Sequence, residues 1–200
     1  KKNINMDVIP SDSDFDKYKV LLLPVMIVHK KEVQDKVRKF VSGGGTVVFT
    51  YRTAVKDYYN NLTLGQFNPT YYTDLVGGYV EEVESFQDDQ VALLIGNEEF
   101  EGINGTATVF RDMLKTTTAK TLFKYEDEFF EDLAAVTLNE YEGGKVYYIG
   151  SGADNTIMDA ITNKIINRSL FIRYICYFSI SASRFSGQSV DIWIFNMLGA

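Results

Sequence analysis

The chain has 200 residues, of which 46% are hydrophobic, and a formal net charge of −7 at pH 7. This length suits one α/β domain with a substantial core, and the acidic balance argues against a nucleic-acid surface, which needs clustered Lys and Arg. The single cysteine, Cys176, excludes a disulfide framework within the chain and is typical of a reducing compartment, so we expect a cytoplasmic protein. No apolar run approaches the roughly 20 residues of a membrane span, so we expect no membrane partner.

The first residues already have the pattern of a strand. Residues 3–9 alternate Ile4, Met6 and Val8 with polar residues, which is the period of a half-buried strand. The chain starts at Lys1 without a methionine and without the features of a signal peptide. We therefore expect a fragment excised from a longer protein.

Residues 18–51 organise the chain as a strand, a helix and a second strand. Residues 19–23 form a short apolar run, typical of a strand buried on both faces. Apolar side chains then recur on one helix face within residues 31–41: Val33, Val37, Phe40 and Val41. Glycines 43–45 end the helix, because glycine adopts left-handed backbone angles without a steric penalty. The β-branched and aromatic run 46–51 completes a βαβ unit, which predicts a parallel sheet with a right-handed crossover.

The rest of the chain is predicted to contain short strands and two helices. A tyrosine-rich loop at 52–65 precedes a short helix that ends at Leu75, before two glycines. Strands are predicted where apolar or alternating runs lie between turn signals: 79–85, 91–95, 106–110, 119–125, 133–138 and 145–149. The last two strands flank residues 140–144, whose glycines predict the turn of a hairpin. Residues 112–115 are predicted to form a turn. Asp154 or Asn155 caps a last helix whose apolar side is formed by Ile157, Met158, Ile161 and Ile165.

The last residues differ from the rest in composition. No acidic residue occurs from 160 to 190, and aromatic residues crowd residues 171–195 without a clear period. Two interpretations stay open: this tail packs on the domain as extra strands or a helix, or it is not native to the protein. We therefore predict a domain at 1–168 and an atypical tail at 169–200.

Four stretches resemble motifs of one family: NMDVIP at 5–10, YKVLLLP at 18–24, FVSGGGTVV at 40–48, and AVTLN at 135–139 with GGKVYYIG at 143–150. The family is the middle, or trimerisation, domain of family 42 glycoside hydrolases, the β-galactosidases. The likeness extends over residues 3–167, and the order and spacing of the motifs are more specific than any single motif.

The resemblance implies a flavodoxin-like or class I glutamine-amidotransferase-like fold, which is a three-layer α/β sandwich with a mostly parallel sheet. In the parent enzyme it implies a catalytic (β/α)8 barrel in the same chain and a homotrimer. The barrel would hydrolyse terminal β-D-galactosides with two glutamates. Neither glutamate has a counterpart here, because the barrel is not part of this sequence.

Candidate catalytic residues do not form a constellation in the sequence. Retaining glycoside hydrolysis needs two carboxyl groups about 5–5.5 Å apart, one protonated and one ionised. The acidic residues are better explained as solvated surface charge: Glu81, Glu82, Glu84, Glu98, Glu99, Glu126, Asp127 and Glu128. A nucleophile elbow is absent, and we expect the lone His29 to be a helix cap or a surface residue. We assign no catalytic residue.

Cofactor and metal sites are not predicted either. Residues 150–156, GSGADNT, follow a strand and precede a helix, where backbone amides bind phosphate in some proteins. A tight turn with an N-cap is the simpler interpretation, because the carboxylate of Asp154 would repel an anion. One histidine and one cysteine do not supply the usual ligands of a zinc site.

The tyrosine-rich stretch is the remaining candidate site. Aromatic residues lie there among polar ones: Tyr51, Tyr58, Tyr59, Phe67, Tyr71 and Tyr72. Such residues are enriched at protein interfaces, although an ordinary loop packed on its own domain stays an alternative. We predict a subunit interface that includes Tyr58, Tyr59, Tyr71 and Tyr72.

The sequence therefore predicts a non-catalytic oligomerisation and scaffold domain of a β-galactosidase-like enzyme. Its expected partners are other copies of itself, as a trimer, and the catalytic barrel of the same chain. The alternative is a stand-alone small-molecule-binding or amidotransferase-like enzyme on the same fold. A third option, a periplasmic sugar-binding module, is disfavoured because the chain lacks an export signal and has half the expected size.

Overall fold

A computed structural model describes residues 6–166, 174–179 and 192–197 of the chain. The first half contains β1 (Met6–Asp7), β2 (Val20–Leu23), α1 (Lys31–Ser42), β3 (Thr46–Thr50), α2 (Thr73–Val76), β4 (Gly78–Ser85) and β5 (Ala92–Gly96). After a 3₁₀ turn at Glu98–Phe100 come β6 (Asn104–Thr116), β7 (Lys120–Tyr125), β8 (Ala134–Tyr141), β9 (Gly144–Ile149), β10 (Ser151–Ala153), α3 (Asn155–Ile166), β11 (Tyr174–Ser179) and β12 (Ile192–Met197). The helices within these ranges are all too short or too polar to cross a membrane.

The predicted strand–helix–strand unit is confirmed. Strands β2 and β3 pair in parallel, with Val20 opposite Thr46, and α1 connects them. The helix buries the apolar face that the spacing predicts and ends at Ser42, before the glycines. Gly44 adopts a left-handed φ of 90°. A Cβ atom at Gly45 would lie 2.4 Å from the Phe40 ring, so this position requires glycine for close packing.

The predicted fold class is wrong. One nine-stranded sheet has the order β10-β6-β5-β7-β8-β9-β3-β2, with β4 also paired to β6. Within it only β2–β3 and β3–β9 pair in parallel, whereas the other described pairings are antiparallel. The domain is therefore not a flavodoxin-like three-layer sandwich with a mostly parallel sheet. An amidotransferase-like enzyme on that fold loses its structural support as well.

Short connections explain the antiparallel sheet. Parallel neighbours need a crossover of a dozen or more residues, usually a helix, whereas two-residue turns join antiparallel strands. Only Glu142 and Gly143 separate β8 from β9, and β6 is followed closely by β7. The helix α2 has four residues and supplies no crossover. The predicted turn at 112–115 is also wrong, because β6 continues through it and pairs with β4.

Two hydrophobic clusters cover the two faces of the parallel strands. Leu21 and Leu23 of β2 belong to the cluster that contains α1, whereas Val20 belongs to the cluster that contains α3. This division follows from the alternation of side chains along a strand. The strands β2 and β3 are therefore buried on both sides, as their apolar sequences predict.

The predicted tail lies largely outside the described residues. The backbone is described only for β11, which contains Cys176, and for β12. These two strands pair antiparallel, and both also pair with β1. The domain boundary after residue 168 stays a prediction, because it falls outside the described ranges.

Candidate subunit-contact surface

Residues 58–71, which we call the tyrosine segment, form the main exposed apolar surface between β3 and α2. They carry six of the twelve large apolar side chains that are exposed in the described residues: Tyr58, Tyr59, Leu62, Leu64, Phe67 and Tyr71. Tyr59 is 79% exposed and Leu64 is 86% exposed. Isolated apolar residues on a surface need no explanation, whereas a contiguous group marks a site of interaction.

Asp57 shapes the turn that presents Tyr58 and Tyr59. Its Oδ1 accepts hydrogen bonds from the backbone N–H groups of Tyr59 and Asn61, both at 2.9 Å. These backbone hydrogen bonds, chiefly the one from Asn61, lower the pKa of Asp57 because they favour the charged carboxylate. An aspartate that binds backbone N–H groups two and four residues ahead is a common way to stabilise a turn. The turn holds the two tyrosine rings in an edge-to-face pair, with centroids 5.4 Å apart.

The base of the segment is attached to the chain that follows β2. The backbone N–H of Lys56 donates to the carbonyl of Ile27 at 3.0 Å, and the N–H of His29 donates to the carbonyl of Lys56 at 3.0 Å. These hydrogen bonds extend the pairing of the parallel strands for a few residues beyond their ends. The tyrosine segment therefore leaves the sheet at its carboxyl-terminal edge.

His29 packs beneath the tyrosine segment, in contrast to the cap or surface position expected from the sequence. It is 4% exposed, and its ring lies 4.9 Å from the Tyr71 ring and 5.1 Å from the Tyr72 ring. Burial lowers the pKa of His29 to about 4, against an opposing effect of nearby Gln34. The imidazole is therefore neutral at physiological pH and acts as a packing residue.

The four predicted interface tyrosines divide between the surface and the core. Tyr58, Tyr59 and Tyr71 are exposed, whereas Tyr72 is completely buried. Tyr71 has a left-handed φ of 72°, which turns the chain between these two neighbours. The structure therefore places three of these tyrosines together on the surface and removes Tyr72 from it.

Helix α1 holds the far end of the segment. Arg38 binds both carboxylate oxygens of Asp74, at 2.7 and 2.9 Å, and its Nη2 also donates to the carbonyl of Tyr71. Gln34 donates to the same carbonyl at 3.3 Å. The hydrogen bonds with Asp74 raise the pKa of Arg38, and those from Arg38 lower the pKa of Asp74. Arg38 is therefore suited to hold this end, because its planar guanidinium bonds two groups at once.

Two surface clefts adjoin the segment, and Tyr71 borders both. The smaller cleft has a volume of about 220 Å³, and its lining includes His29, Asp57 and Tyr59. The larger has a volume of about 460 Å³, and its lining includes Phe67, Asp74 and Tyr79. The surface is therefore indented rather than flat, which suits the insertion of side chains from a partner.

The acidic residues considered for catalysis are exposed or half-exposed, as expected for surface charge. Several form ion pairs: Glu84 and Asp127 with Arg111, and Glu99 with Lys120 and Lys164. The described residues contain no group of three or more His, Cys, Asp or Glu side chains that could hold a metal ion.

The candidate phosphate loop at 150–156 forms a strand and the cap of α3. Residues Ser151–Ala153 form β10, where the sequence predicts a loop, and pair with β6. The predicted N-cap is confirmed, because Asp154 Oδ1 accepts the backbone N–H of Ile157 at 3.1 Å. Asp154 Oδ2 also accepts the N–H of Thr106 at 2.8 Å. The carboxylate therefore lies where an anion would have to bind.

One buried acid, Asp112, is not among the residues that the sequence singles out. Its side chain is 2% exposed, and its Oδ2 accepts hydrogen bonds from the backbone N–H of Arg52 at 2.6 Å and from the hydroxyl of Tyr148 at 2.7 Å. Burial raises the pKa of Asp112. The signal in the sequence is a single acid within an otherwise strand-like run, where a turn is predicted.

Comparison with known proteins identifies the family. Residues 1–171 match the family model of the β-galactosidase trimerisation domain. The chain belongs to this family. The trimerisation domain is 30% identical over 169 residues to β-galactosidase BgaA of Clostridium cellulovorans, covering 82% of this chain and 24% of that protein. It is 32% identical over 150 residues to β-galactosidase Pbg of Clostridium perfringens, and the match covers 74% of this chain and 22% of that protein. The chain thus spans about a quarter of the length of the curated relatives it matches.

Solved structures support the fold of the trimerisation domain. A β-galactosidase from Bacillus circulans sp. alkalophilus superposes with a TM-score of 0.74 at 18% identity, covering 94% of this chain and 34% of that one. A β-galactosidase from Rahnella sp. R3 superposes with a TM-score of 0.70 at 24% identity, covering 78% and 24%. At these identities the likeness establishes the fold alone.

Proposed function

We propose that this trimerisation domain is a non-catalytic oligomerisation and scaffold module of a β-galactosidase that hydrolyses terminal β-D-galactosides. The supporting observation is the tyrosine segment, which exposes six large apolar side chains in a domain whose family is named for subunit assembly. Burial of such side chains against a partner supplies the favourable free energy of association. Tyr58, Tyr59 and Tyr71 are the central contact residues in this proposal.

The partners in this proposal are two further copies of the chain and the catalytic barrel of the same polypeptide. The lengths of the relatives support the second partner, because this domain accounts for only about a quarter of them. The homotrimer is supported by the family description. We also propose a cytoplasmic location, which the single cysteine supports.

We further propose that residues 1–168 are the assembling unit and that 169–200 form a tail that is not needed for assembly, although its strands β11 and β12 pair with β1. The end of the family match at residue 171 supports this boundary. Deletion of residues 169–200 from the full-length protein is then expected to leave the number of subunits in the assembly unchanged. Loss of assembly after this deletion would count against the boundary.

The test replaces Tyr58 and Tyr59 with serine in the full-length protein that contains this domain. Loss of two exposed aromatic side chains from a contact surface is expected to raise the subunit dissociation constant by about a thousandfold, since hot-spot aromatics each contribute about 2 kcal/mol and about 1.4 kcal/mol is a factor of ten. Multi-angle light scattering over a dilution series measures the change. Phe129→Ser is the matched control, because Phe129 is 91% exposed and lies outside the segment. An unchanged mass in the double variant contradicts the proposal.

A further inference from the structure

The carboxylate of Asp112 joins three parts of the sheet. Asp112 lies on β6, Tyr148 lies on β9, and Arg52 lies in the turn directly after β3. One oxygen, Oδ2, accepts both hydrogen bonds, from the Arg52 backbone at 2.6 Å and from the Tyr148 hydroxyl at 2.7 Å. The carboxylate thereby connects this turn to strands that are distant in the sequence.

This arrangement is costly for folding. Among the described residues, the second oxygen of Asp112, Oδ1, has no hydrogen-bond partner. The neighbouring guanidinium of Arg111 forms its ion pairs with Glu84 and Asp127 instead. A buried carboxylate that is not in an ion pair destabilises the folded state. Burial raises the pKa of Asp112, and the hydrogen bonds from Arg52 and Tyr148 together with the charge of Arg52 oppose this only in part. Stability alone does not explain an acid at this position.

The turn that it holds is strained. Arg52 and Ala54 have left-handed φ angles of 61° and 52°, which are unfavourable for residues with a Cβ atom. Such conformations persist where the surroundings over-determine them. Here the N–H of Arg52 donates to Asp112, and the N–H of Ala54 donates to the carbonyl of Met26 at 2.7 Å. The hydroxyl of Thr53 also donates to the carbonyl of Thr50 at 2.6 Å. Asp112 therefore supplies one of the hydrogen bonds that keep these left-handed residues in place, and it is the one that reaches Arg52 from another strand.

The turn leads directly into the contact surface. Two residues beyond Ala54, Lys56 pairs with the chain after β2, and the turn at Asp57 then presents Tyr58 and Tyr59. The turn after β3 and the pairing of Lys56 together therefore determine where these tyrosines lie. A rotation within the turn would displace them relative to Tyr71, which Arg38 holds from the other side.

We propose that Asp112 is a positioning residue for subunit assembly, whose carboxylate holds the left-handed turn at 51–54 and thereby presents the tyrosine segment. The inference rests on the proposed function, because it assigns the tyrosine segment to subunit contact. A carboxylate suits this role better than an amide, since hydrogen bonds to a charged acceptor are shorter and stronger. In this proposal the buried acid lowers the stability of the fold but fixes the position of the contact residues.

The test compares Asp112→Ala with Asp154→Ala in the full-length protein. Both changes remove a carboxylate that accepts backbone and hydroxyl hydrogen bonds, but Asp154 caps α3 and does not contact the turn. Amide hydrogen exchange, resolved by peptide mass spectrometry, is expected to accelerate about tenfold in residues 51–57 of D112A, as loss of one strong hydrogen bond implies. In D154A these amides are expected to exchange at the wild-type rate.

The subunit dissociation constant separates a role in assembly from a role in folding alone. The subunit dissociation constant is expected to rise about tenfold in D112A and to change less than about threefold in D154A. Asp112→Asn retains an acceptor oxygen but makes weaker hydrogen bonds than a carboxylate, so both properties are expected to lie between those of wild type and D112A. If D112A does not fold, D112N is compared with wild type instead, because its weaker acceptor is still expected to accelerate exchange at 51–57 and to raise the dissociation constant.

The two measurements separate the possible failures. Unchanged exchange at 51–57 in D112A, or equal acceleration throughout the sheet, overturns the role of Asp112 whatever the oligomeric state. Accelerated exchange with an unchanged dissociation constant also overturns it, because the turn would then not position the contact surface. A wild-type protein that is monomeric at all concentrations refutes the proposed function instead, whereas the exchange data still report whether Asp112 holds the turn.

Discussion

The hydroxyl of Tyr72 lies 3.2 Å from Nδ1 of His29, and both side chains are buried beneath the tyrosine segment. The two residues belong to segments 43 positions apart in the sequence. Their contact connects the chain after β2 with the chain that enters α2. Tyr71 packs against this pair, and the centroids of its ring and the His29 ring are 4.9 Å apart.

His29 is expected to make stability depend on pH. Its pKa is about 4 in the folded protein, below the ordinary value of 6.5, so the unfolded chain binds a proton first as pH falls. The contribution of neutral His29 to the free energy of unfolding is fully present above pH 6.5. It is lost as pH falls towards 4, and its full size is about 3 kcal/mol. Urea denaturation of wild type and His29→Gln between pH 4 and 7 measures this. An identical pH slope in the two proteins would contradict the assignment.

The pair formed by Arg38 and Asp74 is expected to couple α1 to the end of the tyrosine segment. The ion pair is partly exposed, so a double-mutant cycle with R38A and D74A should give a modest coupling energy of about 0.5–1 kcal/mol. R38A should cost more than D74A, because Arg38 also binds the carbonyl of Tyr71. Equal effects of the two single variants on urea unfolding would argue against that second role. Lys31→Ala, which breaks an exposed pair with Asp35, is the control.

Gly45 is expected to tolerate no side chain. A Cβ atom there would lie 2.4 Å from the Phe40 ring, which is packed in the core and cannot move away freely. Gly45→Ala should therefore lower the free energy of unfolding by about 1–3 kcal/mol, as overpacking of a core does. Gly43→Ala is the matched control, since its φ is −79° and its nearest contact is a carbonyl oxygen at 3.3 Å. Equal midpoints of thermal unfolding for the two variants would refute this packing argument.

Asp57 is expected to hold the turn that presents Tyr58 and Tyr59. In Asp57→Ala the N–H groups of Tyr59 and Asn61 lose their acceptor, so amide exchange at 59–61 should accelerate. Asp57→Asn keeps an acceptor oxygen and should retain most of the protection. If alanine and asparagine protect these amides equally, the side chain is not what stabilises the turn. Because the side chain is only partly buried and its hydrogen bonds stay within its own turn, global stability should change little.

Local patterns were sufficient for several elements of this domain. The helical spacing of Val33, Val37 and Phe40, followed by glycines, predicted α1 and its end. The same holds for the hairpin around Gly143 and for the cap at Asp154. These elements depend on interactions between residues close in sequence, which propensity and turn chemistry describe directly. Aromatic residues among polar ones also located the tyrosine segment.

The sheet was decided by contacts between distant residues. A βαβ unit at the start of the chain suggested a parallel sheet throughout, yet most later strands pair antiparallel because their connections are short. Contacts between distant residues also decide the different burial of Tyr71 and Tyr72. Both are tyrosines in one run, but only the backbone turn at Tyr71 and the packing against His29 determine which is buried.

For this protein the sequence alone determined the family motifs, the first helix, the hairpin and the aromatic segment, because each is encoded by neighbours along the chain. Only the tertiary structure decided the direction of the strands, the burial of Tyr72 and His29, and the place of Asp112. These depend on partners tens of residues away, such as Tyr148, whose hydroxyl reaches Asp112 across 36 positions of sequence. Pairing at such distances is set by the whole packed sheet rather than by any single stretch.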